Sequence, residues 1–498
     1  MAASLLSKSK YLVGLQCPKL LWVHYNAKNR LPPVDEQTQA VFDQGHEVGI
    51  LAQKLFPGGI SVPGDLSIEE VIEQSWKLLK KRKPLFEAGF TFNRGFARVD
   101  ILNPVAGGEW EVIEVKSGTS VKDPNWDDVA FQRYCYEGAG VPIRTCHLMH
   151  VDNTYVRYGE VDPGKLFIQK DVTDAVAEKA AGLDDRLKEM LQVIKHTVCP
   201  EVEIGPYCDS PYACPLKPAC WKHVEEHENN VFTLYRLGGK AWSLYQAGII
   251  DNTRIPSDFP LTETQKIQVD AERAKRPYIN RPAVAEFLEQ LRYPLYFLDF
   301  ETFQTAIPLV EGTRPWQQVP FQFSLHIAKS IKAEAVHHSW LWDGRGDPRK
   351  ELLDQLSPLL EKQGSIVAFN ASFEKSRLGE CVDAYPDYSA WMENVLERAV
   401  DLLSPFRSFD IYYPSQHGTA SIKQVLPALT GKNYKSLAIQ EGGQASEEFK
   451  RVMFGSVSEE ERRAVRQDLE AYCWMDTMGM LDIIRELTVL SKVDPRGV

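Results

Sequence analysis

The chain has 498 residues, 44% of them apolar and 25% charged, and a formal net charge of −11. That length is long for one hydrophobic core and implies two or three domains, while the acidic balance excludes a generally basic nucleic-acid coat. No stretch is long and apolar enough to span a bilayer. The N-terminal "MAASLLSKSKYLVGLQCPKLLW" lacks the charged start, apolar run and small-residue cleavage site of a leader, so a cytoplasmic protein with no membrane partner is expected. The nine cysteines are odd in number and unevenly spaced, which in a reducing compartment suggests free thiols and a metal site rather than disulfides.

Residues 1–228 form a first predicted domain that mixes helical stretches with strand-like runs and closes in a cysteine-rich segment. "FDQGHEVGILAQKLFPGG" offers His46, and "PLFEAGF" offers Glu87. "KLLKKRKP", residues 77–84, is either a solvated helix end or a local phosphate-facing patch. In "RVDILNPVAGGEWEVIEVKSG", Asp100 ends one strand, "NPVAGGE" looks like a hairpin loop, and Glu114 and Lys116 lie two apart on the next strand and so on one face. Asp and Glu can hold a divalent ion, and a lysine beside them can orient the attacking water and offset charge developing at a phosphate. An isolated Glu-x-Lys reads as a surface cross-strand ion pair; it is the surrounding residues that point to a site. "FQRYCYE" sets Gln132 and Tyr136 four apart on a predicted helix, where either would steady the acids or a nucleic-acid backbone.

"YCDSPYACPLKPACW" spaces Cys208, Cys214 and Cys220 evenly, and "GLQCPKLLW" places Cys17 almost two hundred residues earlier. Four thiolates suit a cubane iron–sulfur cluster or zinc. Cys199 is a substitute ligand, whereas Cys135, Cys146, Cys381 and Cys473 read as ordinary buried thiols.

Together these letters resemble the PD-(D/E)xK nucleases, in the RecB-like iron–sulfur branch. The resemblance implies a restriction-endonuclease-like α/β domain in which His46, Asp100 and Glu114 are metal ligands and Lys116 is the catalytic lysine. Gln132 and Tyr136 would then form the Gln-x-x-x-Tyr motif, and Cys17, Cys208, Cys214 and Cys220 would hold a 4Fe–4S cluster as a structural staple. "RVD" stands where that pattern has Pro-Asp, the cysteine trio lacks the usual opening Cys-x2-Cys, and Glu87 has no counterpart, remaining an outer candidate.

Residues 229–288 read as a helical connector broken by Gly and Pro. In it "LGGKAWSLYQAGI" is similar to a helix-hairpin-helix, with Gly238 and Gly239 at the turn and Lys240 beside them; a plain spacer is the other reading. From residue 289 to the end, strands ("YFLDFETF", "FQFSLHIA", "SIVAFN") alternate with helical patterns in an α/β arrangement with a mixed sheet, closed by a long helix over about Ser458–Ser491.

Within that last region, "YFLDFETF" interrupts a core-like strand with Asp299 and Glu301 on one face. Buried like charges need cations, supplied either by Arg or Lys or by a divalent metal. "SIVAFNASFEKSRL" brings Glu374 in the first turn of a helix, and "EAYCWMDTMGML" brings Tyr472 and Asp476 four apart on another. Four carboxylates from three elements suit two divalent ions, with Tyr472 orienting a water.

This set resembles the DEDD exonucleases of the ribonuclease H-like fold, in the subclass with a Tyr-x-x-x-Asp motif, although Glu374 stands where Asp is usual. The resemblance implies Mg2+ or Mn2+ on Asp299, Glu301, Glu374 and Asp476. The whole chain is then expected to be a metal-dependent nuclease with two sites, acting on nucleic acid, DNA before RNA, from ends or on single strands, in repair, recombination or defence. No Gly-x4-Gly-Lys-Ser/Thr motif is present, so unwinding would fall to a partner helicase. The alternatives are a nucleic-acid-binding protein with one or both sites inactive and a zinc-stabilised scaffold.

Overall fold

The computed structural model describes residues 5–492 and is mixed α/β. Two compact units are present, one made of Met1–Lys222 with Thr305–Gln317 and the other of His223–Gln304 with Gln318–Val498. The segment 229–288 therefore lies inside the second unit. Among the described residues no helix is long and apolar enough to cross a membrane.

The first unit opens with helices α1 (Lys8–Gln16), α2 (Pro18–Asn26) and α3 (Glu36–Gln53). Its six-stranded sheet runs in chain order through β1 (Ile60–Ser61), β2 (Leu85–Phe86), β3 (Ile101–Pro104), β4 (Trp110–Lys116), β5 (Ile143–Val151) and β6 (Phe167–Asp171). The β4–β5 pair is parallel, with helix α4 (Asp123–Ala139) as the crossover, and β3–β4 is antiparallel across a turn in which Gly107 and Gly108 take φ of +81° and +83°. The strand expected to end at Asp100 is two: Gly95–Arg98 pairs in a separate three-stranded sheet, and the chain passes to β3 through Val99 and Asp100. Backbone bonds continue across the break, Val99 N–H donating to the Ala88 carbonyl at 3.2 Å and Glu87 N–H to the Asp100 carbonyl at 3.3 Å. The fully buried Tyr136 hydroxyl on α4 reinforces them, donating to the Ala88 carbonyl and accepting from the Val99 amide.

The second unit carries a five-stranded sheet in the order β9-β8-β7-β10-β11, where β7 is Leu295–Phe303, β8 Val319–Ala328, β9 Val336–Leu341, β10 Ile366–Ala368 and β11 Ala399–Asp401. The strands β7, β8 and β9 are antiparallel neighbours, and β10 and β11 run parallel to β7. A register shift between Glu301 and Thr302 bends the end of β7. Helix α5 (Ser372–Ala384) follows β10, and the unit closes with α6 (Ile422–Thr430), α7 (Gly442–Phe454) and the 32-residue α8 (Glu459–Leu490), capped by Ser458 accepting from the Glu461 amide.

The 229–288 segment is helical in part, and it is packed rather than free. Val231, Leu234, Leu237, Ala241, Leu244, Ile255 and Val269 form its core, Tyr278–Ile279 pairs with Ile411–Tyr412, and the Tyr412 hydroxyl donates to Glu272 at 3.0 Å. The Gly238–Gly239 turn is present, with Gly238 at φ +59° and Lys240 exposed at the start of a seven-residue helix.

At the end of β7, Phe321 is fully buried and stacks on Phe449 of α7 at 3.8 Å, with Phe303 beside both. Replacing Phe321 with Ala removes that contact and leaves a void, so urea denaturation followed by tryptophan fluorescence is expected to show a loss of about 3–5 kcal/mol. A loss below about 1 kcal/mol would mean that this cluster does not hold β7 against α7.

Candidate metal centres and cysteine cavity

In the second unit the site is assembled by the face of β7 that carries Asp299 and Glu301. Their cross-strand partners on β8 are Ser324 and Gln322, and Phe297 faces His326. These neighbours stitch α8 onto the same face: Gln322 Nε2 donates to the Leu469 carbonyl at 3.0 Å, and Ser324 Oγ and His326 Nδ1 lie 2.7 and 2.8 Å from Thr477 Oγ1. Tyr472, Cys473 and Asp476 are thereby laid over the two acids. Glu374 arrives from the first turn of α5, which starts after Asn370 at φ +79°. Asp401 at the end of β11 fixes that start, its Oδ1 accepting from the Asn370, Ala371 and Leu403 amides at 3.0, 3.3 and 3.0 Å.

All four expected carboxylates converge. Glu301, Glu374 and Asp476 are 7%, 5% and 6% exposed. Among the described residues no Lys or Arg forms an ion pair with any of them, so the salt-bridge explanation of "YFLDFETF" fails. Lys423 Nζ lies over the Tyr434 and Tyr472 rings at 5.6 and 5.2 Å and donates to the Gln440 carbonyl. The acids are met by neutral donors: the Tyr434 hydroxyl donates to Asp476 at 2.6 Å and the Cys473 thiol to Asp299 at 3.6 Å.

Burial, then repulsion from Asp476, pushes the Asp299 and Glu301 carboxyls well above their usual range. Burial brings Glu374 to about 8 and Asp476 to about 6, the latter in spite of the Tyr434 hydrogen bond. Two further observations fit a cation. Glu374 Oε2 is buried without a partner, and a Cβ on Gly442 would fill space 3.6 Å from Glu301 Oε2 and 3.9 Å from the Tyr472 hydroxyl. Asp299, Glu301 and Cys473 also present ligand atoms within 4.8 Å of one another. Sequence reading passed over Cys473 as an ordinary thiol and did not single out Tyr434. The neighbouring Tyr-x-x-x-Asp pattern was a signal for Cys473; for Tyr434, on a distant loop, there was none.

The first unit brings His46, Glu87, Asp100, Glu114 and Lys116 to one cleft of about 690 Å3. Its floor is a charge network. Lys116 Nζ donates to Glu114 Oε1 at 2.8 Å and to Asp128 Oδ2 at 2.7 Å, and Gln132 Nε2 donates to Glu114 Oε2 at 2.6 Å and Asp128 Oδ1 at 3.1 Å. Lys8 Nζ donates to the same Glu114 Oε1 at 2.8 Å and lies 3.4 Å from Asp128 Oδ1. Asp100 accepts from the Val115 amide at 2.7 Å, and burial followed by the Glu114 charge raises its carboxyl to about 7. Against the downward pull of burial, Glu114 and Asp128 hold the Lys116 ammonium above its usual pKa.

His46 is exposed on α3, and Glu87 pairs with Arg98 at 3.4 Å. Tyr136 serves the backbone break described above; fully buried, it neither touches the acids nor is open to nucleic acid, so of the predicted pair only Gln132 belongs to the acid network. Asp128 and Lys8 were missed. Asp128, Gln132 and Tyr136 repeat every four residues along α4, which was a readable signal; Lys8 offered none.

Cys17, Cys208, Cys214 and Cys220 line one cavity, as expected, and Cys199 packs nearby without lining it. Cys17 ends α1 and caps α2, where burial raises its thiol while the Leu20 and Lys19 amides oppose that rise. Burial also brings the Cys214 thiol to about 11. The Gln16 side chain anchors the loop by donating to the Tyr207 and Tyr212 carbonyls at 2.8 and 2.6 Å.

A family model described as "Domain of unknown function (DUF2779)" matches residues 296–421, a span that holds Asp299, Glu301 and Glu374 and ends before Tyr472. "Uncharacterized protein MG366 homolog" of Mycoplasma pneumoniae is 26% identical over 213 residues, 39% of this chain and 32% of that protein. "Uncharacterized protein MG366" of Mycoplasma genitalium is 25% identical over 222 residues, 41% and 33% of the two chains. The match spans about a third of the length of these curated relatives. A solved structure described as "Crystal structure of SSO0001" aligns with 40% of this chain and 79% of that one at 11% identity and a TM-score of 0.21, an overlap too slight to bear on the fold.

Two measurements follow. Carboxyls whose folded pKa is raised keep protons that the unfolded chain has lost, here between about 4.5 and 8 for Glu374, so metal-free stability falls as pH rises through that window. Thermal unfolding in EDTA should show the decline, of the order of a few kcal/mol, with Mn2+ restoring more at pH 8 than at pH 5.5 and Glu374→Gln flattening the slope; a slope unchanged in that variant refutes the buried-charge account. Tyr136→Phe should cost about 1 kcal/mol by removing the hydroxyl's bonds to Val99 and Ala88, whose own backbone bond remains, with Mn2+ affinity unchanged. A shift in metal affinity instead would return Tyr136 to the site.

Proposed function

We propose that this chain is a cytoplasmic metal-dependent nuclease that hydrolyses phosphodiester bonds at two sites, DNA ends or single strands being its substrate. One observation carries the reading: four carboxylates from β7, α5 and α8, three of them buried and Asp299 half-buried, converge without an ion pair among the described residues, and one of their oxygens has no hydrogen-bond partner. The sheet order, with β8 antiparallel and β10 and β11 parallel to β7, supports the resemblance to ribonuclease H-like exonucleases.

Asp299, Glu301, Glu374 and Asp476 would hold Mg2+ or Mn2+ there, and Asp100, Glu114 and His46 would do so in the first unit. Bound metal supplies an activated water and charge for the departing oxygen. The chain's own groups do the rest. Tyr472, beside Asp476 and over Glu301, is placed to orient water, and Lys116 offers its ammonium to the phosphate. Cys17, Cys208, Cys214 and Cys220 would bind a 4Fe–4S cluster, a reading supported by their lining one cavity. The partners are nucleic acid and a helicase that unwinds it, in repair, recombination or defence.

A second reading, a nucleic-acid-binding protein with an inactive first site, is favoured by Glu114, both of whose oxygens are already taken by Lys8, Lys116 and Gln132.

End-labelled single-stranded and duplex DNA and RNA, incubated with Mg2+ or Mn2+, decide between them. Lys116→Ala and Asp299→Ala should each remove a distinct part of the cleavage by about a hundred-fold or more, and the double variant should be silent. Wild-type protein that cuts nothing in either metal moves the binding reading ahead. Anaerobically purified protein should be brown with visible charge-transfer absorbance; colourless, zinc-loaded protein would exclude the cluster.

A further inference from the structure

Lys8 lies in the first turn of α1, more than a hundred residues from Glu114, yet its Nζ reaches Glu114 Oε1 at 2.8 Å and stands 3.4 Å from Asp128 Oδ1. Three carboxylates, Asp100, Glu114 and Asp128, share this floor with two ammoniums. Glu114 Oε1 already accepts from both lysines, while Oε2 accepts from Gln132. A divalent ion that takes Oε1 must therefore displace a lysine.

The three donors are not equally replaceable. Lys116 is on the same strand as Glu114, two residues on, and also holds Asp128 at 2.7 Å. Gln132 is fully buried on α4, its amide bridging both acids. Lys8 comes from another element and makes the longer contact to Asp128, 3.4 Å against 2.7 Å for Lys116, with a side chain that is only partly buried.

Its position is set at the other end of α1. Tyr11, one turn on, stacks on Phe131 of α4 at 4.6 Å, so Lys8 and Tyr11 meet Asp128 and Phe131 in matching register. The helix ends about 12 Å away, at 1.5 Å per residue, where Gln16 bonds the Tyr207 and Tyr212 carbonyls and Cys17 enters the cysteine cavity. One rigid helix thus joins the cysteine cavity to the acid floor.

We propose that Lys8 is the resident counter-ion of the first unit's acids, displaced from Glu114 when a divalent cation binds, and that α1 makes its reach depend on the cysteine-bearing loop. This rests on the metal-site reading given above. Lys8 is a positioning residue: it sets how tightly the metal is held, and through that the metal concentration at which the site works.

The test is Mn2+ binding by calorimetry and electron paramagnetic resonance on the full chain carrying Asp299→Asn and Asp476→Asn, which silence the second unit's site. Lys8→Met should bind Mn2+ about tenfold more tightly, and Lys8→Arg should stay within about threefold of the parent. Gln16→Ala should tighten binding by a smaller factor, and add nothing to Lys8→Met. Lys8→Gln, read in the same way, covers the case in which Lys8→Met does not fold. Unchanged or weaker Mn2+ binding on loss of the charge overturns the counter-ion role, and a Gln16→Ala effect that persists in the Lys8→Met background overturns the link through α1. Failure of the nuclease reading would appear separately, as wild-type protein that cleaves no nucleic acid, while the Mn2+ comparison would still decide the role of Lys8.

Discussion

Like charges held together out of water must be neutralised, and most of the arrangement of the second unit answers to that constraint. Asp299 and Glu301 are neighbours because β7 alternates its side chains, and Glu374 and Asp476 are added by helices that the sheet itself positions. Keeping such groups together against repulsion takes a rigid frame. Gln322, Ser324 and His326 bond α8 down onto the strand pair, and Asp401 gathers three amides to fix where α5 begins. Neutral hydroxyl and thiol donors meet part of the charge, the Lys423 ammonium opposes some of the rise at Glu301 and Asp476, and the rest is left to protons or to a cation from outside.

The first unit meets the same constraint differently, with its own ammoniums. Lys8 and Lys116 bring positive charge to Glu114 and Asp128, so that the two acids are paired as they stand. Against the desolvation of burial, the two lysines hold Asp128 below the usual carboxylate range, while Asp100, farther from them in effect and closer to Glu114, rises to about 7. A site neutralised by lysines resists metal in proportion to what metal must displace. The two acid clusters are therefore expected to fill in order, the second unit's before the first's.

Sequence pattern disclosed those features that depend on short-range geometry. The period of two on β4 and β7 put Glu114 beside Lys116 and Asp299 beside Glu301, and the four-residue spacing on α8 put Tyr472 with Asp476. It also carried the α/β class and the long closing helix. What it did not disclose depends on tertiary contact. Lys8 and Tyr434 reach acids more than forty residues away, and nothing local to them marks that reach. Cys473 looked like core because it is core; only the fold shows that the buried face it occupies also holds Asp299. Residues 305–317 fall by sequence within the last region, 289–498, yet they belong to the first unit, where Trp316 Nε1 donates to the Ser117 carbonyl next to Lys116. The gap between Arg98 and Ile101 was hidden for a related reason, since the hydroxyl that reinforces the backbone bonds there comes from Tyr136 on another element.

Glu374 is one methylene longer than an aspartate, and the local framework indicates what the longer side chain does. Asp401 fixes the chain just ahead of α5 by accepting from the Asn370 and Ala371 amides, so the backbone cannot retreat to absorb the extra methylene. The carboxylate must extend into the cluster by about 1.5 Å, one bond length. It does so into a buried position where Oε2 finds no donor, and burial holds the group protonated to about pH 8. An aspartate here would end short of that position. The Glu374 oxygen is thus left free of hydrogen bonds and free of ammonium, unlike every oxygen of Glu114, and this difference in what each carboxylate already holds is what separates the chemistry open to the two units.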